Sequence, residues 1–172
     1  MDQDFEIRRA VPGDYQELGQ LMVAAYAALD GFPKPDQAPE YFAMLANIGD
    51  LARKPATELW VAAAAGTLLG GVVYFSDMAQ YGSGGTATRE RDASGFRLLA
   101  VAQQARGRGV GRALMEACIE RARTVGHRQM IIHTTAAMGT AWAMYEKRGF
   151  LRSEDLDFIQ GPIQVYGFRL HL

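Results

Sequence analysis

From Phe5, the segment FEIRRA alternates apolar and charged positions with the two-residue period of a half-buried strand, and Pro12-Gly13-Asp14 then interrupts it. Between about Tyr15 and Leu29 the period lengthens. Leu18, Leu21, Met22, Ala25 and Leu29 recur at spacings of three and four, which predicts a helix with one apolar face. Two prolines and a glycine in Asp30-Gly31-Phe32-Pro33-Lys34-Pro35 break it before a second predicted helix over 38–51, whose core face is Tyr41, Leu45 and Ile48. Apolar runs at 59–64 and 68–75, joined through Ala65-Gly66-Thr67, predict a hairpin.

Residues 80–94 carry neither period, with Gly82-Ser83-Gly84-Gly85 followed by RERD, and predict a long mobile loop. FRLLAV at 96–101 is a continuous apolar run, the pattern of a strand buried on both faces. A glycine-rich turn then opens a helix over 110–125, with Val110, Ala113, Leu114, Ala117, Cys118 and Ala122 on one face and Gly126 closing it. A strand at 130–135, a short helix at 140–148 ended by Gly149, and two last strands from LRSEDLDFIQ and QVYGFRLHL complete the chain. No linker, repeat or low-complexity segment divides this order, so the expectation is one mixed α/β domain over residues 1–172.

Composition narrows the function classes. Apolar residues make up 49% and charged residues 22% of 172, the balance of an ordinary globular protein. A net charge of −1 supplies no positive field to hold a nucleic acid backbone, so no nucleic acid partner is expected. The single cysteine, Cys118, has no internal disulfide partner, and it lies on the core face of its helix, where packing is its expected role. His127, His133 and His171 lack any recognised metal-ligand spacing. The acidic, strand-like start has no signal-peptide pattern, and glycines break the apolar stretch LWVAAAAGTLLGGVVYF, so a cytoplasmic protein without a membrane span is expected.

The sharpest chemical feature is Arg106-Gly107-Arg108-Gly109-Val110-Gly111 between a buried strand and a helix. Amides at a helix N-terminus have no intrahelical acceptor, and with the helix dipole they bind phosphate; glycines let a ligand approach the backbone. A GxGxxG fingerprint fails at Arg112 and Leu114, and no GK[ST] is present for a Walker loop. Taken alone, the segment reads equally as a tight turn with solvated arginines.

This turn after Leu99-Ala100-Val101 resembles the acetyl-CoA loop of the GNAT acyltransferase superfamily, and Ala141-Trp142-Ala143-Met144-Tyr145-Glu146-Lys147-Arg148-Gly149-Phe150 is similar to that superfamily's closing AxxxYxxxGF block. The element order resembles the family's over essentially the whole chain. The resemblance implies a mostly antiparallel mixed sheet of about seven strands, splayed at strands 4 and 5 and flanked by about four helices. It implies an enzyme that moves the acetyl group of acetyl-CoA to a primary amine of a small molecule or peptide, without a metal, and leaves room for a homodimer. The cofactor residues implied are Leu99, Ala100 and Val101 along the pantetheine arm, and Arg106, Gly107, Arg108, Gly109, Val110, Gly111 and Arg112 at the pyrophosphate. Tyr145 matches the tyrosine that in many relatives protonates the departing thiolate.

Two positions depart from the pattern. Met138 stands where many relatives carry an asparagine against the pantetheine, and Ser94-Gly95-Phe96 lacks the glutamate that often deprotonates the amine through water. His133, twelve residues before Tyr145, occupies the place where some relatives that acetylate N-terminal amines carry a glutamate base, and it reads equally as that base or as a core histidine. Glu90 and Asp92 are weaker substitutes, and His127 beyond Gly126 reads as a partner of helix-end carbonyls. Loops 30–40 and 77–92, corresponding to the acceptor side of the family, contain acids and tyrosines that suit a cationic amine. The alternative from another class is an acetyl-CoA-binding sensor module that does no chemistry.

Overall fold

The structure is a computed structural model, and it describes residues 3–172. The elements follow as β1 (Glu6–Arg9), α1 (Tyr15–Ala27), α2 (Pro39–Ala46), β2 (Thr57–Ala64), β3 (Thr67–Phe75), β4 (Ala93–Val101), α3 (Val110–Val125), β5 (Gln129–Thr134), α4 (Gly139–Arg148), β6 (Leu151–Arg152), β7 (Phe158–Gln160) and β8 (Ile163–His171). The strand order is β1-β2-β3-β4-β5-β8-β6, with β7 paired to β8 off this path. The pairs β1–β2, β5–β8, β6–β8 and β7–β8 are antiparallel, while β4–β5 is parallel. The fold is the open, mostly antiparallel mixed sheet that the sequence implied, with four α-helices among the described residues.

The chain groups into two compact units, Met1–Val73 with Leu98–Ala117, and Tyr74–Arg97 with Cys118–Leu172. In the first, α1 buries Leu18 and Met22, and α2 buries Phe42 and Leu45. A Cβ on Gly19 would run into the Ala46 carbonyl, so glycine is what lets α1 lie so close to α2. Glu17 Oε1 accepts a hydrogen bond from the Leu68 amide at 2.9 Å, fixing α1 to the start of β3. The second predicted helix is shorter than its apolar pattern suggested: α2 stops at Ala46, and 48–53 continue as 3-10 turns in which Ile48 is still buried. The hairpin between β2 and β3 turns through Ala65 (φ +50°) and Gly66 (φ +79°), the paired left-handed geometry of a tight two-residue connection.

In the second unit β5 and β8 pair from Gln129↔His171 to Thr134↔Tyr166, and Met130, Ile131, Ile132 and Phe168 are almost wholly buried. Three findings revise the sequence reading here. Residues 80–94 are not wholly loop: a 3-10 turn at Met78–Gln80 leads into them and another spans Ala87–Arg89, Tyr81 and Ala87 are fully buried, and β4 already begins at Ala93. Burial of single residues, Tyr81 and Ala87, accompanies this order in a segment without period. The chain end forms three strands rather than two, because 3-10 turns at Glu154–Leu156 split LRSEDLDFIQ into β6 and β7. The His127 ring bonds Ser94 Oγ at 2.8 Å rather than a helix-end carbonyl; only its backbone N–H reaches back, to Ala122 O at 3.0 Å.

Among the described residues no helix is long and apolar enough to cross a membrane, and no group of three or more His, Cys, Asp or Glu is placed to hold a metal ion.

Candidate acetyl-donor and proton-transfer residues

In the first unit the glycine turn is built from both of its ends. Val101 closes β4, Ala102 N–H bonds Leu69 O at 2.8 Å, and a 3-10 turn at Gln103–Ala105 buries Ala105 before the chain emerges. Arg106 through Gly109 are then exposed, and Val110 is buried as the first residue of α3. Gly107 (φ +78°) and Gly109 (φ +82°) hold left-handed backbone that side chains resist. Nothing lies within 4 Å of where a Cβ would stand on either, so their faces are open. The Ala113 amide makes a helical bond to Gly109 O at 3.0 Å, so the amides of Val110, Gly111 and Arg112 precede any helical acceptor.

What seats this turn is a residue that sequence reasoning passed over. A Cβ on Gly70 in β3 would meet Ala100 O at 2.7 Å, Val110 Cγ1 at 2.9 Å and Leu114 Cδ1 at 3.2 Å. Glycine there lets the first turn of α3 close onto the strands, which fixes where its free amides stand. The only sequence signal was the pair Gly70-Gly71 inside an apolar strand, the mark of a close backbone approach. Of the arginines, Arg108 is engaged with Asp4 at 2.7 Å, while Arg106 and Arg112 are exposed. Leu99 and Val101 are half-buried and Ala100 is buried.

In the second unit the AxxxYxxxGF block is a helix end with a mechanical meaning. Gly149 (φ +109°) stops α4, its amide bonds Glu146 O at 3.0 Å, and Phe150 N–H bonds Tyr145 O at 3.0 Å. That pattern folds Phe150 back onto the residue five positions before it, and the two rings meet at 5.8 Å. Phe96 of β4 completes the cluster, 5.8 Å from Tyr145. Tyr145 is 5% exposed. Burial pushes its phenol well above the ordinary tyrosine value, with Tyr81 and Cys118 adding to the rise, so the phenol stays protonated at neutral pH. Met138, before α4, makes no side-chain cap bond, and Thr134 and Thr135 at the end of β5 bury hydroxyls with no protein hydrogen-bond partner among the described residues.

His133 lies in β5, and both of its ring nitrogens are engaged. Nε2 stands 2.8 Å from the Leu156 carbonyl, which can only accept, so Nε2 carries the hydrogen; Nδ1, 3.0 Å from the Tyr81 hydroxyl, therefore accepts the phenol's O–H. Burial lowers the histidine's pKa below 6.5, against the Leu156 bond, with the nearby Arg97 charge reinforcing the lowering and Asp157 opposing it. The ring is also held between Tyr81 and Phe158, at 5.6 and 5.2 Å. Tyr81 explains the missing glutamate: a Cβ on Gly95 would meet its ring at 2.8 Å and Ile131 O at 2.9 Å, so Tyr81 fills the space of a side chain at 95. His133 and Tyr145 make no hydrogen bond to each other; each is packed with its own aromatic neighbours. Glu90 is tied to Arg169 at 2.8 Å, and Asp92 to Arg128 at 3.4 Å.

No curated protein matches the chain in sequence. Among solved structures it is similar to a GNAT-family acetyltransferase from Staphylococcus aureus Mu50, with 14% identity, TM-score 0.74, and coverage of 98% of this chain and 99% of the other. It is similar to the PaiA N-acetyltransferase of Thermoplasma acidophilum in complex with coenzyme A, with 12% identity, TM-score 0.73, and coverage of 95% and 97%. A ribosomal-protein-alanine N-acetyltransferase from Brucella melitensis gives 20% identity, TM-score 0.67, and coverage of 97% and 99%. Residues 21–150 match the acetyltransferase (GNAT) family, a span that takes in the glycine turn, β5 and the whole Tyr145 block, and the chain therefore belongs to the GNAT acetyltransferases.

Proposed function

We propose that the protein, acting as one catalytic domain in the cytoplasm, transfers the acetyl group of acetyl-CoA to a primary amine of a small molecule or peptide. The open glycine turn carries this reading. Its two left-handed glycines and the amides of Val110, Gly111 and Arg112, which precede the first helical bond at Ala113, suit a pyrophosphate, with Arg106 and Arg112 available for charge. The buried threonine hydroxyls at the end of β5 are further polar atoms without a hydrogen-bond partner among the described residues. Main-chain groups of Leu99, Ala100 and Val101 are assigned to the pantetheine arm. Coenzyme A in the Thermoplasma relative, and an alanine amine named for the Brucella relative, are consistent with donor and acceptor class.

In the reaction the neutral amine nitrogen attacks the thioester carbonyl carbon, the C–N bond forms, and collapse of the tetrahedral adduct breaks the C–S bond. Tyr145 is assigned the proton delivered to the sulfur, since its phenol is protonated at neutral pH. The amine's proton is assigned to His133 Nδ1, received through the Tyr81 hydroxyl that already donates to that atom. Release of coenzyme A thiol, followed over a panel of amines, tests the reading: thiol appears only when amine and acetyl-CoA are both present. A non-catalytic acetyl-CoA sensor is favoured by one observation, the absence of a carboxylate at position 95. Tight acetyl-CoA binding with no thiol release from any amine would establish it instead.

A further inference from the structure

The polar groups of the second unit are mostly spoken for. Asp157 holds Arg152 at 2.8 and 2.9 Å and accepts the Gly167 amide at 2.7 Å; Arg169 holds Asp155 and Glu90; Ser94 joins Tyr74 and His127. Arg97 is different. It is half-buried in β4, and its guanidinium spends one of five N–H donors, on the Tyr81 carbonyl at 2.9 Å. Its plane lies over the Tyr81 ring, 5.6 Å from the centroid, and no carboxylate among the described residues pairs with it. Its remaining donors are not buried, so they are open to solvent or to a ligand.

Its position says what such a ligand meets. Gly95 and Arg97 are two residues apart on one strand and so share a face, and Tyr81 covers that face at Gly95. The parallel register sets Gly95 beside Ile131, and two residues on, His133 bonds the same Tyr81. Arg97 thus shares a face with Tyr81 and His133, to which the amine's proton is assigned above.

We infer that Arg97 binds a carboxylate on the acceptor, so that the substrate is an amine that also bears a carboxylate, as an amino acid does. The inference rests on the acetyltransferase reading above. A carboxylate fits one guanidinium because the planar fork offers two parallel N–H groups to two oxygens with matched charge. Tyr81 beneath the guanidinium holds the fork's plane, and the Tyr81 carbonyl holds one edge, leaving the other free.

The test pairs L-amino acids with their carboxamides and decarboxylated amines at saturating acetyl-CoA, following thiol release, with amino acid binding measured in parallel by thermal shift. The wild type is expected to prefer the free carboxylate. Arg97→Met should raise KM for the amino acid roughly 10- to 100-fold more than KM for the carboxamide, leave KM for acetyl-CoA unchanged, and abolish the thermal shift. Arg97→Lys, which keeps the charge but not the fork, should fall between. If Arg97 only ties down residues 80–94, Arg97→Met lowers the melting temperature and leaves the carboxylate preference intact, which overturns the inference. Equal turnover of carboxylate and carboxamide by the wild type overturns it too, as does a preference for phosphoethanolamine. A protein that turns over no amine at all defeats the acetyltransferase reading, and the thermal shift with its loss in Arg97→Met then decides Arg97 separately.

Discussion

The glycine turn at 106–111 and the packed face around Tyr81 both carry assigned chemistry, yet they are built by opposite means. The turn is exposed, its backbone conformation is imposed by glycines, and the space above those glycines is empty. Around Tyr81 a glycine makes room for a ring, and the hydrogen bonds joining Tyr81, His133 and Leu156 close within the protein. A backbone binding site needs only local sequence to exist. A proton-handling site needs side chains from distant segments, each setting the other's protonation state.

The sharpest way to break the first half of that contrast is Gly111→Asp. A carboxylate among the free amides puts negative charge where a pyrophosphate is assigned, and acetyl-CoA affinity by calorimetry should fall more than about 100-fold with the fold intact. Undiminished affinity would move the donor elsewhere. Next is Tyr145→Phe, which removes one hydroxyl from a packed ring and should lower kcat by roughly 100-fold while sparing acetyl-CoA binding. An unchanged kcat would make the aromatic cluster purely structural.

Gly95→Ala probes the packed face. Its methyl would press on the Tyr81 ring and on the Ile131 carbonyl, a backbone atom that cannot swing aside, so urea unfolding should show a loss of about 1–3 kcal/mol. The same change at Gly107, whose Cβ would meet nothing, should cost only the left-handed strain. Equal losses at the two sites would erase the contrast between open and filled glycines.

The smallest effect is that of pH on His133. Because burial lowers its folded pKa below the 6.5 of a free histidine, folding favours the neutral ring. The associated stability is complete above about pH 6.5, declines as pH falls below it, and stops declining once the folded ring is protonated. Melting temperature against pH should show that decline in the wild type and lose it in His133→Gln. If His133 receives the amine's proton, the acidic limb of kcat/KM also lies below 6.5 and flattens in the same variant, whereas a limb unmoved by it returns the base to solvent.

This contrast also explains what was legible in the sequence. The helix over 110–125, the hairpin and the block ending at Gly149-Phe150 were readable because periodicity, glycine caps and turn residues act over a few positions. Tyr81 was hidden in a segment without period, since its order comes from Gly95 and His133, fourteen and fifty-two residues away. The partition of His133 between base and core residue could not be read either, because it depends on the Leu156 carbonyl and the Tyr81 hydroxyl. Arg97 sits inside FRLLAV, which reads as a continuous apolar run, and what distinguishes it is its place over Tyr81, residues 81 and 97 being joined only in the fold.

The hairpin between β2 and β3 offers something practical to whoever makes these variants. Alanine at 65 holds φ +50°, a conformation its methyl group disfavours and asparagine accepts more readily, and Gly66 already follows it. Ala65→Asn would write the favoured Asn-Gly pair into a turn the backbone has already adopted. Natural proteins sit close to the threshold below which a damaging change empties the folded population. A parent carrying that one substitution would raise the floor under every loss-of-function variant above, so that a silent enzyme on the bench could be read as silent chemistry rather than as an unfolded chain.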